Sequence, residues 1–154
     1  MLNFSFKLNN EPMSSLVVTE SRKAFPAFSG LETNVNKLVA ACVPSLGPIP
    51  PGTYYIVDRE SGGRLGWLYD LIAQKDDWFA LYAEDDNIDD ETFCEAVKRG
   101  QFRLHPKVGR GISKGCITID KQSDFNLIRS MLLDTTLEQI PETDMKTYGT
   151  VIVS

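Results

Sequence analysis

One cysteine and one histidine lie close together in the segment FRLHPKVGRGISKGCITI, residues 102–119. A cysteine attacks a carbonyl carbon as the thiolate, and a free thiol with a pKa of about 8.5 is mostly protonated at neutral pH. A neighbouring imidazole can accept this proton and later return it to a leaving amine, so that amide exchange proceeds through a thioester. The chemistry would use Cys116 as nucleophile and His105 as base, and His105 is the only histidine in the chain.

Two small residues just before the cysteine would support this chemistry. Gly115 permits a turn that a side chain would forbid and lets the backbone approach a substrate. The backbone N–H groups of Gly115 and Cys116 could then stabilise a developing oxyanion. Ser113 could anchor the loop or orient the imidazole.

The alternation of side chains along a strand predicts how the two reactive residues are positioned. Phe102 and Leu104 would face the core and His105 would face away from it. In the same way Ile117 would face the core and Cys116 would face away. If the two strands are neighbours, the imidazole and the thiol meet on one surface. Taken singly, a cysteine before ITI is often a small apolar strand residue and a histidine before proline is often a turn residue.

A basic stretch surrounds the pair, because residues 98–119 contain six lysines and arginines and neither aspartate nor glutamate. Such a stretch is either a solvated face or a region that attracts a carboxylate-bearing substrate. Arg103, Arg110 and Lys114 are the candidate substrate-binding residues. The chain as a whole has a net charge of -5, which argues against nucleic acid as a partner.

The three cysteines are too few and too widely spaced for a disulfide framework. Cys42 and Cys94 are predicted to be packing residues, since neither has a glycine turn or a histidine nearby. Cys116 is then a free thiol. With one histidine and no CxxC motif, no metal site or other cofactor is expected.

The composition is that of an ordinary globular protein, and 154 residues fit one domain, residues 1–154. The first residues lack the features of a secretory signal, and no apolar run is long enough to span a bilayer. We therefore expect synthesis in the cytoplasm, no membrane insertion, and export, if any, by a machine that does not use a cleavable signal.

The elements that would position the site are mostly strands. Residues 3–8 and 14–19 predict an opening hairpin, and the proline-rich residues 44–53 predict an ordered loop before the strand TYYIVD. Further strands are predicted at WFALYAE and at the final TYGTVIVS. Helices are predicted from Asp90 to Gly100, with Phe93, Ala96 and Val97 at helical spacing, and from Ser123, with Phe125, Ile128, Met131 and Leu132 on one face. The expected fold class is mainly β with two short helices, a minor α+β component.

The order of His105, Ser113, Gly115 and Cys116 resembles the motif of L,D-transpeptidases of the YkuD type. More closely, the chain is similar to the type VI secretion L,D-transpeptidase effectors. This similarity is carried by GPIPPGTYYIVDR (residues 47–59), GGRLGWLYD (residues 62–70), WFALY (residues 78–82) and residues 102–119, and it extends over essentially the whole chain.

The resemblance implies a compact L,D-transpeptidase-like catalytic domain with Cys116 as nucleophile and His105 as base. It implies L,D-carboxypeptidase and L,D-transpeptidase activity on the tetrapeptide stem of peptidoglycan, at the bond between diaminopimelate and the terminal D-alanine. Effectors of this kind release that D-alanine or exchange it for another D-amino acid in the periplasm of a rival cell. The implied partners are a type VI secretion machine and a cognate immunity protein.

The chain departs from the housekeeping members in three respects. His105 and Cys116 are close in sequence, and Lys114 stands where a second histidine is usual, with Thr118 in place of an arginine or asparagine. Two alternatives remain. A cysteine peptidase or amidase would cut another wall bond, although papain-like enzymes place cysteine before histidine. A non-catalytic binding module would not need the thiol.

Overall fold

The computed structural model describes residues 1–59, 77–109 and 114–154. Within these residues there are twelve strands and one α-helix. The strands are β1 Leu2–Phe6, β2 Ser14–Val18, β3 Ala24–Phe28, β4 Gly52–Asp58, β5 Phe79–Ala83, β6 Glu91–Cys94, β7 Val97–Gly100, β8 Arg103–Pro106, β9 Ile117–Ile119, β10 Glu138–Gln139, β11 Lys146–Thr147 and β12 Gly149–Val153. The helix α1 is Gln122–Leu133, and 3-10 turns lie at Glu32–Asn34 and Leu38–Ala40.

Eight of the strands close into a barrel in the order β1-β12-β4-β5-β8-β9-β3-β2. The pairs β1–β12 and β8–β9 are parallel, and the other pairs are antiparallel. The predicted opening hairpin is confirmed as β1 and β2, with Phe4 opposite Val18 and Phe6 opposite Leu16. Closure pairs every strand of this barrel with two neighbours, so the barrel leaves no open edge.

The strands of the barrel and one face of the helix share a single buried apolar cluster. The apolar residues that alternate along the strands are buried in one cluster, and helix α1 adds Phe125, Ile128 and Leu132, each at most 1% exposed. The helix predicted from Ser123 is therefore confirmed, and its apolar stripe packs against the cluster. Truncation of one of these buried side chains to alanine typically costs about 2–5 kcal/mol.

The helix predicted from Asp90 to Gly100 is wrong, because these residues form the hairpin β6–β7. The chain reverses at Glu95, whose φ of 56° is incompatible with a continuing helix. Phe93, expected on a buried helix face, is 68% exposed. Gly100 lies so close to Asp90 that a Cβ would be 2.3 Å from the carbonyl oxygen of Asp90. Gly100 therefore allows β6 and β7 to lie close together; it does not end a helix.

The assignment of Cys42 and Cys94 to packing is also wrong, since the two form a disulfide with a Cα–Cα distance of 5.2 Å. They are 52 residues apart in sequence, and only the folded chain brings the loop at residues 41–48 against β6. The prediction that one thiol stays outside any disulfide of the chain is confirmed for Cys116.

No helix in the described ranges 1–59, 77–109 and 114–154 is long and apolar enough to cross a membrane.

A buried tyrosine of the barrel predicts that the stability of the protein depends on pH. Tyr148 is 8% exposed and donates a hydrogen bond of 2.8 Å to Oδ1 of Asp58. Burial, this hydrogen bond and the charge of Asp58 raise the pKa of Tyr148 to about 12. An unfolded tyrosine has a pKa of about 10.

Between about pH 10 and about pH 12 the unfolded chain therefore releases this proton while the folded chain keeps it, and the free energy of unfolding falls as the pH rises. We expect the stability advantage of the wild type over Tyr148→Phe to narrow across this window, because the variant has no proton to release. Urea unfolding of both proteins at a series of pH values measures this difference. A constant difference from about pH 9 upward would contradict the prediction.

Candidate active site

The predicted meeting of the histidine strand and the cysteine strand rests on the parallel pair β8–β9. Leu104 lies opposite Ile117 and His105 lies opposite Thr118. Leu104 and Ile117 are 1% and 0% exposed and belong to the core, so alternation turns His105 to the other face. Cys116 directly precedes β9 and shares the face of Thr118. The expectation that the two strands are neighbours is confirmed.

Both residues line one cleft of about 660 Å³, a volume within the range of small-molecule sites. Three parts of the chain form its walls. The loop at residues 41–48 contributes Pro44 and Ser45, and β7 with the residue after it contributes Lys98–Gln101. The third part is the pair β8–β9 with the residues that flank it. The cleft therefore lies on the outer side of the barrel, where the two reactive side chains point.

The hydrogen bonds of His105 define its tautomer. Nδ1 lies 2.7 Å from the backbone oxygen of Pro106. A carbonyl oxygen only accepts, so Nδ1 carries the proton and Nε2 of the neutral ring is an acceptor. Nε2 lies 3.4 Å from the hydroxyl oxygen of Thr118. The nitrogen that is available as a base is therefore the one on the side of β9.

A stack of side chains holds the plane of the imidazole. Trp78 stacks on His105 with a centroid distance of 4.2 Å and an interplanar angle of 18°. The guanidinium carbon of Arg59 lies 5.8 Å from the centre of the indole. Sequence reasoning missed Trp78 as a site residue. The pairing of β5 with β8 would have identified it. Phe79 lies opposite Leu104 in this antiparallel pair, so the preceding Trp78 lies opposite His105.

The thiol of Cys116 is half-buried and its Sγ lies 3.9 Å from the backbone oxygen of Gln101. The charge of Cys116 acts on Arg103, which forms a bidentate ion pair with Asp90 at 2.6 and 2.7 Å. Burial lowers the pKa of Arg103, but the hydrogen bonds and charge of Asp90 and the charges of Cys116 and Tyr82 outweigh burial and raise that pKa.

Gly115 has the left-handed backbone conformation that was expected from its place before the cysteine, with a φ of 99°. A Cβ here would lie 2.7 Å from Nη2 of Arg99 and 2.9 Å from the ring of Phe102. The turn into Cys116 thus requires glycine for both its conformation and its close packing.

The buried side chain of Arg99 joins β7 to the loop at residues 41–48, and both form walls of the cleft. It is 5% exposed, and its guanidinium donates to the backbone oxygens of Ala41, Gly47 (3.1 Å) and Pro48 (3.3 Å). Burial lowers the pKa of Arg99, while the nearby Tyr54 raises it. This side chain, expected to be part of a basic surface, is therefore a buried tie between β7 and the loop at residues 41–48.

The remaining predicted site residues differ in whether they line the cleft and in whether the structure describes them. Lys114 is exposed and lines the cleft, whereas Arg103 lines the cleft while paired with Asp90. Arg110 and Ser113 lie outside the described residues. Among the residues that the structure describes, no group of histidine, cysteine and carboxylate side chains could hold a metal ion.

The charge of the cleft is one-sided. Its described lining includes the side chains of Arg59, Lys98, Arg99, Arg103 and Lys114, and no aspartate or glutamate is among those lining residues. Lys98 and Arg103 have carboxylate partners outside the lining, Glu91 at 2.7 Å and Asp90. The arrangement favours a ligand that carries negative charge.

Fold and site together define a β-barrel protein with a cysteine–histidine cleft of positive charge. The model of the Tlde1 domain matches residues 23–143, and the chain belongs to this family, type VI secretion L,D-transpeptidase effector 1. The resemblance found in the sequence is thereby confirmed. The family is one of type VI secretion effectors that modify peptidoglycan and are delivered to target cells. Neither the curated proteins nor the solved structures gave a match.

Proposed function

We propose that this protein is an L,D-carboxypeptidase and L,D-transpeptidase that acts on the tetrapeptide stem of peptidoglycan through a thioester on Cys116. The observation that carries the proposal is that Cys116 and His105 line one cationic cleft from adjacent parallel strands. Membership of the effector family supports the substrate.

The reaction begins when Nε2 of His105 takes the proton of the Cys116 thiol. The sulfur then forms a bond with the carbonyl carbon of diaminopimelate, and the carbon–nitrogen bond to the terminal D-alanine breaks. The imidazolium returns its proton to the leaving nitrogen. Water that attacks the thioester completes the carboxypeptidase reaction, and the amine of another D-amino acid completes the exchange. Both routes restore the free thiol.

The surroundings of the sulfur suit these steps. The backbone N–H groups of Gly115 and Cys116 are the proposed donors to the tetrahedral oxyanion, and Ser113 is proposed to orient the loop before them. The carbonyl of Pro106 keeps the Nδ1 proton in place, so that Nε2 is the nitrogen that exchanges a proton with the thiol.

The positive cleft is proposed to attract the carboxylate of the terminal D-alanine, with Lys114, Arg110 and Arg103 as the binding residues. Of these three residues, Lys114 is an exposed member of the described lining and Arg103 is a half-buried one. Asp90 fixes the guanidinium of Arg103 in one orientation, which makes Arg103 a rigid positive group beside Cys116.

The biological setting follows from the family. We infer synthesis in the cytoplasm, transfer by a type VI secretion machine into the periplasm of a target bacterium, and a cognate immunity protein that protects the producer.

The test is incubation of purified protein with tetrapeptide muropeptides, followed by mass spectrometry. Loss of D-alanine, or its replacement by an added D-amino acid, is the expected result. Cleavage at another bond would instead identify a cysteine peptidase or amidase, and would contradict the proposed reaction.

A milder change tests the carboxylate attraction. We expect Lys114→Ala to raise KM by about threefold to fivefold, with less effect on kcat, because an exposed charge acts on ground-state binding as well as on the transition state. Arg110→Ala should act in the same direction. Initial rates of D-alanine release over a range of muropeptide concentrations separate the two constants.

Lys146→Ala is the matched control, since Lys146 is an exposed lysine on β11 outside the cleft lining. It should leave both constants unchanged. The effect of Lys114→Ala should also shrink at high salt, where exposed charges are screened. An unchanged KM in Lys114→Ala would count against attraction of a carboxylate.

A further inference from the structure

Thr118 places a buried hydroxyl against the imidazole. It lies opposite His105 across the β8–β9 pair and is 0% exposed. Its Oγ1 is 3.4 Å from Nε2 of His105, and in the described part of the chain this is the one hydrogen bond that its side chain makes. A buried hydroxyl without a partner is costly, so the contact with Nε2 accounts for a polar side chain in the wall of an apolar barrel.

The neighbours of the imidazole make this contact relevant to proton transfer. Cys116 and Thr118 are separated by one residue and face the same side of the sheet. Nε2 is the nitrogen without a proton in the neutral ring, since Nδ1 donates to Pro106. His105 thus contacts a hydroxyl that can either donate or accept, and it lines the same cleft as the thiol of Cys116.

We propose that Thr118 is a positioning residue for His105: its hydroxyl donates to Nε2 of the neutral ring, turns away when that lone pair receives the thiol proton, and then accepts from Nε2–H of the imidazolium. This inference rests on the proposed function, in which His105 alternates between these two states. Pro106 fixes Nδ1 in both of them, and Thr118 supplies a partner for Nε2 that reverses its role. No bond is made or broken on Thr118 itself.

The change of the hydroxyl from donor to acceptor should raise the basicity of His105. A hydrogen bond from a charged imidazolium is stronger than one to a neutral ring, so the hydroxyl stabilises the protonated form more than the neutral form. Removal of the hydroxyl therefore makes His105 a weaker base. The groups with charge or titratable protons that line the same cleft stay in place in such a variant; they are Arg59, Lys98, Arg99, Arg103, Lys114 and Cys116.

The experiment compares Thr118→Val, which keeps the shape and removes the hydroxyl, with Thr118→Ser, which keeps the hydroxyl. Because His105 is the only histidine, the NMR signals of one imidazole report its titration without ambiguity. We expect the titration midpoint in Thr118→Val to be lower than in the wild type by at least about half a pH unit. Thr118→Ser, which still has a hydroxyl, should keep the titration midpoint of the wild type.

An identical midpoint in Thr118→Val and the wild type would overturn the proposal, and so would an equal shift in Thr118→Ser. Circular dichroism establishes that each variant is folded. If valine at this position prevents folding, Thr118→Ala is the second variant without a hydroxyl and is compared with Thr118→Ser in the same way.

The rate of D-alanine release adds a second readout. The acidic limb of its pH profile should move to lower pH in Thr118→Val and not in Thr118→Ser. The NMR titration does not depend on the substrate. Absence of D-alanine release in the wild type would therefore defeat the proposed function, while the titration would still decide the role of Thr118.

Discussion

Cys116→Ala should reduce D-alanine release from muropeptides by at least about 10⁴-fold, the scale of loss when the nucleophile of an acyl-transfer enzyme is removed. The reason is that His105 then has no thiol to deprotonate and no thioester forms. Cys116 is half-buried just before β9 rather than in the core, so the fold should survive the change. Mass spectrometry of timed muropeptide digests measures the rate.

Circular dichroism and thermal unfolding of the variant serve as the control for folding. Cys116→Ser is the matched chemical control, because it keeps a small polar side chain but replaces the thiol with a far weaker acid. Toxicity of a periplasm-targeted version should disappear in both variants. Full toxicity of Cys116→Ala would contradict the enzymatic proposal and favour a binding module.

Replacement of both Cys42 and Cys94 by serine should have the largest effect on stability. A disulfide that closes a long loop contributes about 2–4 kcal/mol to the free energy of unfolding. This bond closes 52 residues and joins the loop at residues 41–48 to the β6–β7 hairpin, and both border the cleft. We therefore expect a lower unfolding midpoint in urea and a raised KM for the muropeptide.

The wild type treated with a reductant should show the same lower unfolding midpoint and the same raised KM as the double variant. Cys116 must remain an unmodified thiol in both samples. The two single variants separate loss of the bond from a free-thiol artefact, since each should match the double variant in stability. Equal unfolding curves and an equal KM for the wild type and the double variant would show that the bond does not support the cleft.

Much of the fold was predictable because local patterns determine it. The alternation of apolar side chains in β8 and β9 assigned faces to His105 and Cys116 without knowledge of the barrel. The apolar stripe of α1 likewise identified its buried side, as Phe125 and Ile128 show. Patterns of this kind depend on residues a few positions apart.

The errors concern contacts between distant parts of the chain. The spacing of Phe93 and Val97 fits one face of a helix, but it equally fits two strands joined at Glu95. The choice depends on Cys94, which bonds to a residue 52 positions away. Trp78 was missed for a similar reason, because it contacts His105 only when β5 pairs with β8.

Two interactions of different chemistry connect the loop at residues 41–48 to the β6–β7 hairpin, and together these segments form a wall of the cleft. The disulfide between Cys42 and Cys94 depends on the thiol–disulfide balance of its surroundings, whereas the hydrogen bonds of Arg99 to three backbone oxygens do not. We therefore expect that, when a reductant opens the disulfide, Arg99 still joins β7 to the loop and the wall becomes looser without separating from the barrel.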